Sequence, residues 1–338
     1  MLLAVACSKP SLEVGRAGRC GSLRDLVLVE RPETSAAMQL FVDRFEVTRA
    51  DWAEFSMTAR ARERDFVAVV PFDGDPTLPV ASLDLRQARA FAAWRFLRLP
   101  RLEEWTLAAV GDGRSIFPWG NSEDWTRANT GELGLGRTTP VGTFESGRRG
   151  GGNQPYDLVG NVSEWTESIP TWWWDGHQVV DGVRGSAFDP VASAAVCRRA
   201  ALASPALAIW QGPGGLLPLD WAAEAGNGLV PRVVVGSDFQ SPMGELHVAI
   251  PSGERRARTG LRLCATATEL VLALLAEPSD ATDADLVHLH RFVCRARHRE
   301  VLVAAWSELA LSARLTIRGT LGRSLQSELG FSDLQAGR

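Results

Sequence analysis

The segment 156–165, YDLVGNVSEW, constrains this chain more than any other. It sets two carboxylates, Asp157 and Glu164, on either side of a Gly160-Asn161 turn. It also follows a long Gly-rich stretch, 111–152, with turns at 111–113 and 147–152 and almost no periodicity. A compact domain that carries so long an irregular stretch needs something to hold it, often an ion or a functional reason. Calcium takes about six to eight hard oxygen ligands, mixes carboxylates with backbone carbonyls and tolerates irregular geometry. Asp157 and Glu164, with carbonyls from the residues between them, form such a donor set. The alternative is an ion-free turn in which Asp157 caps backbone N–H groups and Glu164 makes an ion pair.

Regular elements are sparse around this turn. Residues 26–30 (LVLVE) read as a short strand, and 38–47 (MQLFVDRFEV) alternate apolar and polar residues like a half-buried strand. Thr48 then stands as N-cap to a short helix over 49–55. A clearer helix runs over 85–97 behind Asp84, with Ala88, Phe91, Ala92 and Trp94 on or near one face. Residues 204–258 form a second long segment with Pro/Gly clusters and a strand-like run at 232–235. From 283 to 315 the period is helical, through Leu286, Leu289, Val293, Leu302, Trp306 and Leu309, with Thr282 or Asp283 as cap. That tail reads as one or two helices outside the main domain, before a loose C-terminus.

Composition excludes several classes. A net charge of −4 gives no electrostatic case for a nucleic-acid partner. Lys9 is the only lysine, which reflects composition bias rather than chemistry. Twelve Trp against one Tyr suit a loop-rich fold that packs on large apolar bodies. Trp172, Trp173 and Trp174 cannot all face inward, so they are the best candidates for a surface that stacks on a carbohydrate or peptide. No apolar run approaches the roughly 20 residues of a membrane span. Residues 1–7, MLLAVAC, look like the end of a bacterial lipoprotein signal, lacking its basic region and with a short apolar run. A start codon assigned downstream would explain this. A lipidated Cys7 would place the chain at the cell envelope or periplasm, where its other four cysteines allow two disulfides; a cytoplasmic location stays open. The five cysteines form no CxxC pair or Cys/His cluster of zinc type.

Several separated segments, in one order, resemble the formylglycine-generating enzyme (sulfatase-modifying factor) family. They are 41–55 (FVDRFEVTRADWAEF), 79–80 with 88–94, 99–105 (LPRLEEW), 117–121 (FPWGN), 127–130 (RANT), 139–144 (TPVGTF), 156–165, 184–186 (RGS) and 260–263 (GLRL). The resemblance implies an α+β, C-type-lectin-like fold with sparse regular structure over 24–266. A signal-like leader and linker would occupy 1–23 and a helical C-terminal extension 267–338. It also implies calcium at the turn, through the side chains of Asp157 and Glu164 and the carbonyls of Gly160 and Val162. A second, weaker calcium site falls at Asn129 and Thr130. Its acidic ligand would coincide with Leu133, which cannot bind, so that Glu132 must stand in.

The family's enzymes oxidise a sulfatase cysteine to formylglycine with O₂ and a copper(I) ion held by two cysteine thiolates five residues apart, just after the strand matched by 184–186. Soft copper(I) is selected by thiolates. Here the region reads RGSAFDPVASAAVCRRA: residues near Asp189 fall where the first cysteine belongs, and Cys197 reaches the second only with an insertion. Copper binding of the family type should therefore fail. Cys264 matches a family disulfide position whose partner position is Ala92; a Cys197–Cys264 pair and a buried thiol at either are the alternatives. A related branch builds a three-His iron site in a separate helical bundle. Of His177, His247, His288, His290 and His298, only His290 and His298, eight apart, share a helix face, and exposed helix residues are the simpler reading. These features favour a non-catalytic or divergent module, with Trp172, Trp173, Trp174, Arg184 and 204–258 as its recognition surface for a protein, peptide or glycan. An oxygen-dependent oxidoreductase is the alternative.

Overall fold

The structure is a computed structural model that describes residues 19–31, 34–58, 74–111, 114–150, 154–168, 172–174, 179–181, 187–188, 232–244, 247–250, 257–278, 281–309 and 317–331. Small sheets and short helices surround long irregular segments, as an α+β chain of this composition requires.

Strand β1 (Leu26–Val29) pairs antiparallel with β2 (Leu40–Asp43), in the register Leu26↔Asp43 to Val29↔Leu40. The expected strand over 38–47 is thus only four residues long, and all four are buried rather than alternating. Both faces of β2 are covered. Phe41 faces an aromatic and helical core, while Leu40 and Val42 face Val27, Val29, Ala108 and Cys264. Strand β10 (Cys264–Thr266) completes this sheet on the other side of β2.

A second sheet has the order β8-β7-β3-β9. Strand β3 (Ser163–Trp165) is antiparallel to β7 (Arg232–Val235) and parallel to β9 (Thr259–Gly260); β8 (His247–Ile250) forms the edge beyond β7. A third sheet is antiparallel throughout: β4 (Trp172–Trp174), β5 (Val179–Asp181) and β6 (Ala187–Phe188).

The helices start where the sequence signals them. Helix α1 (Arg49–Ser56) is capped by Thr48, whose hydroxyl accepts the Asp51 N–H while the Asp51 carboxylate takes the Thr48 N–H. Helix α2 (Leu85–Trp94) has the same box from Asp84 and Gln87. It ends three residues before Leu97, because Phe96 turns left-handed at φ 62°. Trp52, Phe55, Phe91 and Trp94 form an aromatic cluster with centroids 5.3–5.7 Å apart. After α3 (Leu102–Val110) the described residues up to Val162 contain no α-helix, only single 3₁₀ turns.

The C-terminal part departs from expectation. Four helices, α4 (Ala267–Ala276), α5 (Asp283–Val293), α6 (Ala296–Glu308) and α7 (Thr320–Leu329), lie on the main domain instead of outside it. Leu270, Leu274, Leu289, Phe292, Leu302, Trp306 and Leu325 share one continuous core with Phe41, Trp52 and Phe91. The physical reason is area. Each such side chain gains about 1.5–3 kcal/mol on leaving water, and the face of β2 bearing Phe41 offers the surface to bury it. The N-terminal segment 19–25 is pinned to α5 in turn: Cys20 donates its N–H to Asp285 at 2.8 Å, and Arg295 donates to the Arg24 carbonyl. No helix among the described residues is long and apolar enough to cross a membrane.

Candidate functional site: a buried acid–arginine turn

The turn 156–165 bends sharply because three of its residues adopt left-handed backbone: Asp157 (φ 52°), Gly160 (φ 81°) and Asn161 (φ 62°). Only glycine fits at 160, where a Cβ would lie 2.4 Å from the Asn129 carbonyl oxygen. That close approach lets Asn161 donate its N–H to the same carbonyl at 2.7 Å. Gly160 donates to Gly236, and Tyr156 to the Arg44 carbonyl, so the turn is stitched to three separate loops.

Side chains complete the stitching. Asn161 accepts the Thr139 N–H at 2.9 Å and donates through Nδ2 to Glu46 at 2.6 Å. Glu46 also accepts the Val162 N–H at 3.1 Å. Asp157 accepts the Gly142 N–H at 2.6 Å. Glu164 takes Arg262 on one oxygen, at 2.9 Å from Nε and 2.8 Å from Nη2, and the Trp105 indole N–H on the other at 2.9 Å. Arg262 is fully buried and also donates to the carbonyls of Asp43 (2.9 Å) and Tyr156 (2.7 Å). Trp165 closes the segment with an indole bond to the Leu83 carbonyl at 2.8 Å.

Electrostatically this is an acid-rich centre with one cation. Burial raises the Glu46 carboxyl well above its usual range, and the neighbouring carboxylates of Asp157 and Glu164 add to the rise. Burial pushes Asp157 up to about 6, against the opposing pull of the Gly142 N–H and Arg262. Asp43, behind Arg262, is pushed up to about 8 by burial. Burial works against the Arg262 charge, but Glu164, Glu46 and Asp157 outweigh it and hold the guanidinium protonated.

Of the residues singled out in the sequence, Asp157, Gly160, Val162 and Glu164 all lie in this buried turn. A calcium ion here would share both carboxylates with the donors just named. Asn129 and Thr130 meet the same turn through the Asn129–Gly160 bridge. Asn129 is 1% exposed and its Oδ1 has no hydrogen-bond partner, a leftover buried acceptor. Glu132 is exposed and accepts the Met243 N–H at 2.9 Å, so it is turned toward that backbone. Trp172, Trp173 and Trp174 form strand β4, with their side chains outside the described residues, as are Arg184, Cys197 and Cys7. Cys264 carries a buried thiol 3.2 Å from Arg98 Nη1, and burial raises it far above the usual thiol range. His298 corrects the expectation of exposed helix histidines. It is 4% exposed, packed against Phe41 and Phe292, while His290 is exposed on the preceding helix; the chain turns at Arg295 between them, so the two share no face.

Glu46, Asp43, Trp105 and Arg262 were not anticipated as site residues. Their signal was present: an acid inside the apolar runs FVDRFEV and an arginine inside GLRL each place a charge where burial is forced.

Comparison with known proteins adds a second line of evidence. A model of the sulfatase-modifying factor enzyme 1-like domain matches residues 14–212. The chain is 40% identical over 101 residues to the inactive C-alpha-formylglycine-generating enzyme 2 of Bos taurus, covering 27% of this chain and 33% of that one. It is 35% identical over 106 residues to the formylglycine-generating enzyme of Mycobacterium tuberculosis (28% and 33% covered). It is 30% identical over 156 residues to the hercynine oxygenase of Mycolicibacterium smegmatis (40% and 36% covered). The matches thus span about a third of the length of these curated relatives.

Proposed function

Because the chain belongs to the sulfatase-modifying factor enzyme 1-like domain family, whose named relatives include both oxidase-type and inactive proteins, we propose that it is a non-catalytic or divergent member acting as a binding or structural module. The cysteine arrangement carries this reading. Formylglycine-type chemistry, as the family resemblance implies it, needs two converging thiolates five residues apart, and the sequence contains no two cysteines at that spacing. Among the described residues, Cys20, Cys264 and Cys294 sit on separate elements, and burial holds the first two as thiols. This donor set does not fit copper(I). Incubation with copper(I), O₂ and a CxPxR-type peptide should yield no aldehyde; aldehyde formation would overturn the proposal.

Calcium enters this reading as scaffold. The leftover Asn129 Oδ1 supports a hard cation at the Asn129–Thr130 end of the turn, while the carboxylates of Asp157 and Glu164 would have to be shared. Calcium added to chelator-stripped protein should raise its melting temperature, and Asn129→Ala should diminish the shift; an unchanged melting temperature refutes the ion. Recognition is assigned to Trp172, Trp173, Trp174 and Arg184, and export to the cell envelope to a lipidated Cys7. Replacing the three tryptophans by alanine should abolish capture on a glycan or peptide array. Palmitate labelling in a bacterial host should be lost in Cys7→Ser.

A further inference from the structure

Outside the turn, the described residues bring together one further cluster of ligand-type side chains. His290 lies in the last turn of α5 and Cys294 caps that helix four residues on, with its N–H bonded to the His290 carbonyl at 2.9 Å. Residues at this spacing share a helix face. Glu328, in the last turn of α7, reaches across to the same place. Its Oε1 is 2.8 Å from His290 Nδ1, and Cys294 Sγ is 3.8 Å from that Nδ1 and 3.4 Å from Nε2. One ligand atom from each of the three residues falls within 4.8 Å of the other two. Arg299 donates to the Glu328 backbone carbonyl, while the Glu328 carboxylate meets His290.

We propose that His290, Cys294 and Glu328 bind a zinc-like divalent ion that staples α5 to α7. The donor set of one thiolate, one imidazole and one carboxylate is that of a borderline-soft metal, which distinguishes it from a calcium site. The distances agree. Zinc bonds of about 2.0–2.3 Å at tetrahedral angles separate neighbouring ligand atoms by roughly 3.3–3.6 Å. The Nδ1–Oε1 and Nδ1–Sγ separations of 2.8 and 3.8 Å bracket that range, so small rotamer adjustments admit the ion. With the His290 side chain 58% exposed, the fourth position faces solvent and takes water. Binding displaces the thiol proton of Cys294, and any second imidazole proton, to solvent. The site also accounts for an exposed thiol, otherwise a liability on a protein surface. Closing it ties the last described helix to the helix that carries Asp285.

The test uses the untagged, reduced full chain. Titration with cobalt(II), a spectroscopic stand-in for zinc, should give a saturable thiolate-to-cobalt charge-transfer band at one equivalent, displaced by zinc. Cys294→Ser should abolish the band, and Glu328→Gln should weaken binding by at least about tenfold. In the unmodified chain, zinc should slow iodoacetamide labelling of Cys294, mapped by peptide mass spectrometry, a readout that needs no variant to fold. Absence of the band, its persistence in Cys294→Ser, or undiminished labelling of Cys294 under saturating zinc would each overturn the proposal. None of these outcomes bears on the catalytic status of the main domain.

Discussion

Replacing Arg262 with methionine tests whether the buried turn is held by charge. The substitution keeps an apolar stem of similar reach and removes the cation that Glu164, Asp43 and Tyr156 share. Leaving a buried carboxylate without its partner costs about 3–5 kcal/mol. Two carbonyls also lose their donor, at about 1–3 kcal/mol each where water does not reach them. These contributions overlap in one network, so the expected loss is about 4–6 kcal/mol, against a typical domain stability of roughly 5–15 kcal/mol. The loss should depend on pH. Without Arg262, whose charge opposes the rise, the pKa values of Glu46 and Asp157 climb further above their unfolded values. A raised carboxyl pKa contributes stability that is present below the unfolded pKa and lost as pH rises through the folded one. The variant should therefore be closer to wild type at pH 4–5 than at pH 8, with the gap opening through and above the Asp157 value of about 6. Adding Glu164→Gln should recover about 2 kcal/mol or more at pH 8, because the uncompensated charge is gone. Urea unfolding followed by tryptophan fluorescence reads all of this, since Trp105 and Trp165 flank the turn. A loss below about 1 kcal/mol, or one equal at both pH values, would refute the electrostatic account.

Other consequences are simpler. Gly160→Ala should cost about 2–4 kcal/mol in thermal melts, from left-handed backbone and a Cβ pressed on the Asn129 carbonyl; a loss within about 0.5 kcal/mol would mean the turn can open. Burial, reinforced by Arg295, lowers His298 to about 4, so its neutral form stabilises the fold above pH 6.5 and that contribution fades as pH falls toward 4. His298→Phe should flatten the acid side of the stability profile in that window, and an unchanged slope would count against the assignment. Asp285→Ala removes the carboxylate half of the α5 capping box and the Cys20 contact, and should cost about 2 kcal/mol while exposing residues 19–25 to protease. Cleavage at the wild-type rate would show that the N-terminal segment is held by other contacts.

Local chemistry was legible in the sequence. Thr48, Asp84 and Thr282 cap helices where their neighbours allow it, because a cap depends on three or four adjacent residues. The Gly-rich stretch reads correctly as irregular for the same reason, and the turn 156–165 announces itself through Gly160-Asn161. Partners distant in the chain were not legible. Nothing in the spacing of 156–165 says that Glu164 faces Arg262, 98 residues away, or that Glu46 reaches Asn161 from the segment that follows β2. The helices after residue 266 showed their period but not their place, since periodicity records that a face is apolar and not which surface covers it. The sequence by itself thus determined where the chain turns, caps and carries its ligand-type residues. Tertiary structure alone decided which charges lie buried together and that His290, Cys294 and Glu328 meet, because burial and proximity are properties of packed surfaces rather than of neighbouring residues.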